Sequence, residues 1–436
     1  MTAQWKKYSI LLAVAPVLLW WTLGGAERQP ARSAAAAPSR ILLTWAGDPA
    51  RTQAVTWRTG TLASSPKAQI APFTGNPADV KAAQTVTATG VAVTLTGDQT
   101  AAHYRVQFEN LNPGTKYTYR VGDGSTWSEW NVFRTASTRP EPFRFLYIGD
   151  AQNDIHSLWS RSIRSAYAAA PDARFIIHAG DLVADGYNDR QWGEWCEAIS
   201  FISAMVPSLA VPGNHDLHPA PGAKTDGNPL RAPDPWRWHF VFPGNGPPGL
   251  EGQSYYLDYQ GVRFISLDAN VFGGKADAGP GKQVLEGQLA WLEKTLRDNP
   301  NHWTIVFQHQ PVYPIARNRQ APRLQALLIP LYDKYGVDLV LAGHDHAYGR
   351  THKLKGGKVV TEGEQGTVYA VSVSGPKMYN LTPPDAKIMA KTLENTQLYQ
   401  VISIDGDRLS FDAYNITGAL VDRFELRKAA SKRASN

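Results

Sequence analysis

The chain has 436 residues, 43% of them hydrophobic and 19% charged, with a formal net charge of +6. That length exceeds one compact core and predicts two domains with terminal extensions, while the composition excludes disorder of the whole chain. A single cysteine, Cys196, excludes an internal disulfide and a thiolate zinc cluster, so any metal must be held by imidazole, carboxylate and amide groups.

In chain order, residues 1–38 read as an export signal and linker. Lys6 and Lys7 precede the apolar run Tyr8–Leu23, and small residues follow at Gly24, Gly25 and Ala26. This pattern predicts a cleaved signal and an exported protein, periplasmic or extracellular; only an uncleaved signal would bring it to a membrane. Residues 39–138 carry short apolar runs at Ile41–Trp45, Ala54–Trp57, Gly90–Leu95, His103–Phe108, Lys116–Val121 and Trp130–Phe133. Turn signals at Gly47-Asp48, Asn112-Pro-Gly114 and Gly122-Asp-Gly124 separate them. The spacing predicts an all-β sandwich. The segment Leu111–Val121 resembles the end of a fibronectin type III module, with Tyr117 as its corner tyrosine.

From residue 142 to residue 427 the pattern changes to strands alternating with helical periodicity. Strands are expected at Phe145–Ile148, Phe175–Ile177, Ser208–Val211, Val262–Leu267, Trp303–Phe307 and Val337–Leu341. Helical stripes fall at Ile155 to Tyr167, Trp192 to Ile202, Leu285 to Leu296 and Leu324 to Leu331. Strand–helix alternation predicts an α/β domain of mixed sheets flanked by helices, a four-layer arrangement. Strands return after residue 366, with a hairpin turn at Asp405-Gly406. Residues 217–253 are rich in Pro and Gly and read as one long loop over the active site. Residues 428–436 form a basic tail, and no basic stripe with interleaved aromatics suggests nucleic acid as a partner.

Five polar clusters each follow a buried strand at once: Gly149-Asp150-Ala-Gln152, Gly180-Asp181, Gly213-Asn214-His215-Asp216, Gln308-His309 and Gly343-His344-Asp345-His346. Ligands of open α/β sheets gather outside the carboxyl ends of strands, and in four clusters a glycine lets the chain turn there. Converging, these ends offer carboxylate, amide and imidazole donors suited to Fe, Zn or Mn.

The ordered set Asp150, Gly180-Asp181, Gly213-Asn214-His215, His309 and Gly343-His344-Asp-His346 resembles the calcineurin-like metallophosphoesterases. The preceding sandwich, His346-Ala-Tyr348-Gly-Arg350 and Gln283–Leu292 resemble purple acid phosphatases in particular. The resemblance implies that Asp150 and His346 hold a first metal ion, that Asn214, His309 and His344 hold a second, and that Asp181 bridges both. It implies that His215 is not a ligand but sits beside the leaving-group oxygen as catalytic acid or charge stabiliser. Two positions depart from the pattern. Ala184 stands where purple enzymes carry the tyrosine that colours ferric iron, and Gln152 stands where many relatives carry histidine. Gln152 is an additional candidate ligand through its amide oxygen, and a purple ferric centre is not expected.

Two cations about 3.5–4 Å apart can clamp a phosphoryl group and yield a metal-bound hydroxide near neutral pH. The implied function is hydrolysis of a small phosphate monoester. Phosphodiester hydrolysis of nucleotides or phospholipids is the alternative within the same chemistry, and a non-catalytic extracellular metal-binding module lies outside it. Candidate substrate contacts are Arg317, Arg319, Arg350 and His218. The oligomeric state does not follow from the sequence.

Overall fold

A computed structural model of the protein describes residues 37–95, 99–217, 231–273, 279–361, 363–381 and 387–428. The apolar N-terminal run and His218 lie outside these residues. Among the described residues no helix is long and apolar enough to cross a membrane.

The N-terminal part comprises β1 (Ser39–Thr44), β2 (Gln53–Thr59), β3 (Lys67–Pro72), β4 (Gln84–Thr87), β5 (Thr89–Thr94), β6 (Thr100–Phe108), β7 (Lys116–Gly122) and β8 (Asn131–Arg134). They form two antiparallel sheets ordered β1-β2-β6-β5 and β4-β3-β7-β8. Apolar positions alternate inward and meet in one core around Trp57, Tyr104, Tyr119 and Phe133. The backbone N–H of Asn112 donates to the Tyr117 hydroxyl at 2.8 Å, which is the expected tyrosine corner. β3 and β4 escape the sequence reading because their exposed faces carry Lys67, Gln84 and Thr87.

The C-terminal part continues with β9 (Phe143–Ile148), α1 (Ser160–Ala169), β10 (Ile176–His178), α2 (Asp189–Ser203), β11 (Ser208–Ala210) and α3 (Asp234–His239). Next come β12 (Tyr255–Tyr259), β13 (Val262–Leu267), α4 (Gly279–Arg297), β14 (Trp303–Gln308), α5 (Pro322–Tyr335), β15 (Leu339–Ala342) and β16 (Tyr348–Thr351). A small hairpin, β17 (Leu354–Lys355) and β18 (Lys358–Val359), leads to β19 (Val368–Val371), β20 (Met389–Leu393), β21 (Leu398–Asp405), β22 (Arg408–Asn415) and β23 (Leu420–Arg427). The strands make a six-stranded sheet, β11-β10-β9-β21-β22-β23, and a seven-stranded sheet, β12-β13-β14-β15-β19-β16-β20. Phe145, Phe175, Phe264 and Phe307 fill the space between the sheets. Leu292, Leu328 and Tyr332 of α4 and α5 cover the outer face of the second sheet. The result is the expected four-layer α/β arrangement.

Two expectations change. The first helical stripe begins as a π-turn, Ile155–Trp159, before α1, and the segment 217–253 is not one structureless loop. α3 lies within it because Pro233 and Pro235 preset the first turn and Trp236 anchors against Trp192 and Phe240. The predicted Asp405-Gly406 hairpin joins β21 to β22, with Asp405 opposite Arg408.

The sandwich shares buried contacts with the layers that follow it. Asp189 at the start of α2 accepts from Arg40 at 2.7 Å and pairs with Arg58 at 3.3 Å. Tyr119 donates to the carbonyl of Ala204 and Thr56 to that of His239. Trp45 packs edge-on against Phe175.

Candidate metal centre and active site

Parallel register sets the site. Ile148, His178 and Ala210 are level neighbours across β9, β10 and β11, so Asp150, Asp181 and Asn214 all lie within four residues past one line. Gln308 and Ala342 are level in the second sheet, so His309 and His344 lie one and two residues past it. Crossed hydrogen bonds bind the two sets of strand ends together. The amide of His344 donates to both Asp150 carboxylate oxygens at 2.9 and 2.8 Å. His309 donates from Nδ1 to the carbonyl of Ala179 at 2.8 Å, which leaves its Nε2 facing Asp181 at 3.2 Å.

The local backbone is strained where donors leave the strands. Asp150, Asp181, His344 and His346 all have left-handed φ, at 53°, 51°, 74° and 46°. Non-glycine residues seldom adopt this region, and such strain concentrates at functional sites. Close approach, rather than turning, explains the glycines at 213 and 343. Neither has positive φ, but a Cβ at Gly213 would collide with Asp181, and one at Gly343 with Asp150.

Two donor groups result. Asp181, His309 and His344 form one, and Asp150, Asp181 and His346 form the other; within each, donor atoms lie within 4.8 Å of one another. Asp181 is common to both. Burial favours a neutral Asp150, whose pKa is pushed well above the carboxylate range. Burial also opposes ionisation of Asp181, but the charges of His309 and His215 and their hydrogen bonds outweigh it and hold the carboxylate low. For His309 burial opposes the charge, yet Asp181 and Asp150 raise it to about 9. Burial lowers His344 to about 2 and His346 to about 3, keeping both imidazoles neutral. A neutral imidazole presents the lone pair that a metal needs.

The donor chemistry fits cations. It consists of oxygen and imidazole nitrogen, with two carboxylates to neutralise charge. The carbonyl oxygens of Asn214 and Gln152 are buried and have no hydrogen-bond partner among the described residues. Such orphaned acceptors are costly unless something electropositive faces them. The Gln152 amide nitrogen lies 2.8 Å from Asp181 and 3.2 Å from Nε2 of His346, between two donors of the Asp150 group.

His215 is tied at both ends of the residue: its backbone N–H donates to Asp181 at 2.9 Å, and Nδ1 lies 2.9 Å from the carbonyl of Ala184. Asp216, fully buried, accepts from the amides of Leu182, Val183 and Gly213, and so clamps the Asp181 and Asn214 loops together.

The expected substrate contacts separate. Arg319 reaches the site, donating to the carbonyl of His344 at 3.1 Å and pairing with Asp345 at 3.2 Å. Arg350 does not: it is half of an ion pair with Asp422 at 2.7 Å and covers the ring of Phe424. It sits on β16, which β19 separates from β15, and reaches β23 instead. The Arg317 amide bonds the carbonyl of Asn380, and the residue is exposed. Sequence reasoning missed Tyr379, whose ring centroid lies 4.7 Å from that of His346 and 5.2 Å from the Arg319 guanidinium. It follows the end of β19, a sixth strand end that carries no histidine or carboxylate to mark it.

Comparison with known proteins agrees with this geometry. The description "Purple acid Phosphatase, N-terminal domain" matches residues 38–135, and "Calcineurin-like phosphoesterase" matches residues 143–348. The C-terminal part of the chain is thus similar to the calcineurin-like phosphoesterases. The sandwich before it is similar to the N-terminal domain of purple acid phosphatases. An uncharacterized protein of Mycobacterium tuberculosis is 27% identical over 57% of this chain and 50% of its own length. Acid phosphatase type 7 of Mus musculus is 27% identical over 79% of this chain and 76% of its own. The chain spans about half the length of the first of these relatives. The fold is that of purple acid phosphatase PPD1 from yellow lupin seeds, with a TM-score of 0.74 at 18% identity over 90% of this chain and 74% of that one.

Proposed function

We propose that the protein hydrolyses phosphate monoesters at a two-metal centre. One observation carries this reading: Asp181 belongs to both donor groups, as a carboxylate bridging two cations must. Asp150 and His346 would hold the first ion, with Gln152 as an additional donor. Asn214, His309 and His344 would hold the second. Two ions bound there would neutralise charge on the phosphoryl group and acidify water.

The chain's own groups supply the rest. Arg319, held by Asp345 and the His344 carbonyl, orients the phosphoryl oxygens. His215, its ring held at Nδ1 by Ala184, gives a proton from Nε2 to the departing alkoxide. Strained, buried strand ends keep these groups in one arrangement, so little reorganisation accompanies the reaction. The N-terminal run supports export of the chain, which N-terminal sequencing of the protein recovered outside the cytoplasm would test.

Metal analysis joined to a panel of monoesters and diesters tests the whole reading. Two metal ions per chain and faster turnover of monoesters are expected. Fewer than two ions at saturation would refute it, and a panel led by diesters would replace monoester with diester hydrolysis.

A further inference from the structure

Asn214 leaves β11 on a loop that side chains hold in place of a ladder. Pro212 has no N–H to give, and the N–H of Gly213 donates at 2.8 Å to the Asp216 side chain. The carbonyl of Pro212 accepts at 3.0 Å from Nδ2 of Asn270. Asn270 lies three residues past the end of β13, in the other sheet.

The Asn270 amide is not free to turn. Its backbone N–H and its Nδ2 both donate to Oδ1 of Asp268, at 2.9 and 2.7 Å. Asp268 is fully buried and accepts from Gln253 at 2.6 Å through its other oxygen. Its backbone is fixed from α4: Gln288 donates to its carbonyl at 3.0 Å, and its N–H donates to Ser254, whose hydroxyl donates to Gln288 at 2.6 Å. A carbonyl oxygen can only accept. Pro212 thus decides which end of the Asn270 amide is nitrogen, and the amide oxygen faces away. There it accepts at 2.6 Å from Gln310, the residue after His309.

One side chain so joins three strand ends from two sheets. Two of them carry donors of the second ion: Asn214 two residues after Pro212, and His309 one residue before Gln310. Register levels neighbours within a sheet, but β11 and β14 belong to different sheets, and register sets no distance between their ends.

We propose that Asn270 is a positioning residue of the metal centre: it straps the Asn214 loop to the His309 loop and sets the span between those two donors. The inference rests on the two-metal reading above. Asn270 is not itself a donor, since its N–H groups cannot ligate a cation and its oxygen is turned to Gln310. Gln288 lies within the Gln283–Leu292 segment, which reaches the metal centre through Asp268 and Asn270.

Titration of Zn²⁺ into the full chain against a competing chelator reads the strap without turnover. Wild type should show two binding constants, one of which Asn214→Ala weakens. Asn270→Ala should weaken that same constant by about tenfold, as loss of a group that orients a ligand does, and leave the other unchanged. Added to Asn214→Ala, it should cost little more, because the strap then holds no donor on the β11 side. A residue serving only the fold would lower the stability of the metal-free protein and weaken both constants or neither. Should Asn270→Ala fail to fold, Gln310→Met keeps the volume, removes only the tie to β14 and should weaken the same constant by a smaller factor. Equal loss at both constants, additive losses in the double variant, or no loss in either single variant would overturn the strap while leaving the two-metal centre standing. Fewer than two ions bound by wild type would instead refute the centre itself.

Discussion

His215 and Asn214 are adjacent in the chain but are proposed to have separate tasks, and single substitutions divide them. His215→Ala removes the proposed proton donor without touching a metal ligand, so kcat should fall by about 10²–10⁴ while two ions remain bound; equal loss of metal would show a ligand instead. Asn214→Ala removes an acceptor that is already unpaired, so metal affinity should fall, and metal titration reads it directly. Ala184 supplies no phenolate, so the metal-loaded protein should show no strong visible charge-transfer band; a band would contradict this. Asp268 offers a pH test away from the metal ligands. Burial raises it from 3.8 to about 6. The folded state thus holds the proton more tightly than the unfolded one. Its contribution to stability is full below about pH 4 and is lost as pH rises through about 6, a change on the order of 2–3 kcal/mol. Relative to wild type, Asp268→Asn should therefore gain stability over that interval in denaturant titrations, and a constant difference would refute the assignment.

At the scale of elements, strand ends do the positioning and flanking pairs hold the strands. Arg350 and Tyr348 on β16 both bond Asp422 on β23, joining the edge strand of the first sheet to the next-to-last strand of the second. Arg350→Ala leaves a nearly buried carboxylate without its counter-charge, held by Tyr348 alone among side chains, and should cost on the order of 2 kcal/mol of stability. Activity per folded molecule should be kept, in contrast to Arg319→Ala, which should raise KM. The helix α3 shows how an element escapes a sequence reading. Pro and Gly around it suggest a loop, but Trp236 finds Trp192 only through the fold, and that remote contact, with the local one to Phe240, anchors the six residues of the helix. Strands β9, β10, β14 and β15 were legible from short, mostly apolar runs, because strands buried on both faces need no alternation, and β13 was legible despite Arg263 and Ser266.

For the molecule as a whole, bound metal is linked to folding. Ions that bind only the folded state stabilise it by about 4 kcal/mol at a thousandfold excess over Kd. Chelation should lower the melting temperature measurably, and an unchanged value would argue against a centre built from these donors. The sequence alone determined the classes of layer, from hydrophobic period, and marked five polar clusters by their place after buried strands; the reading of six donors and an acid among them came from the family resemblance. Those signals are local, and a chain carries them without folding. Tertiary structure decided what depends on distance between remote segments. It made Asp181 common to two donor groups, turned Arg350 away to Asp422, brought Tyr379 beside His346, and joined Pro212 and Gln310 through Asn270. No period or spacing encodes these, because each is set by which strand ends register brings level and by which way a buried carboxylate forces its neighbours to donate.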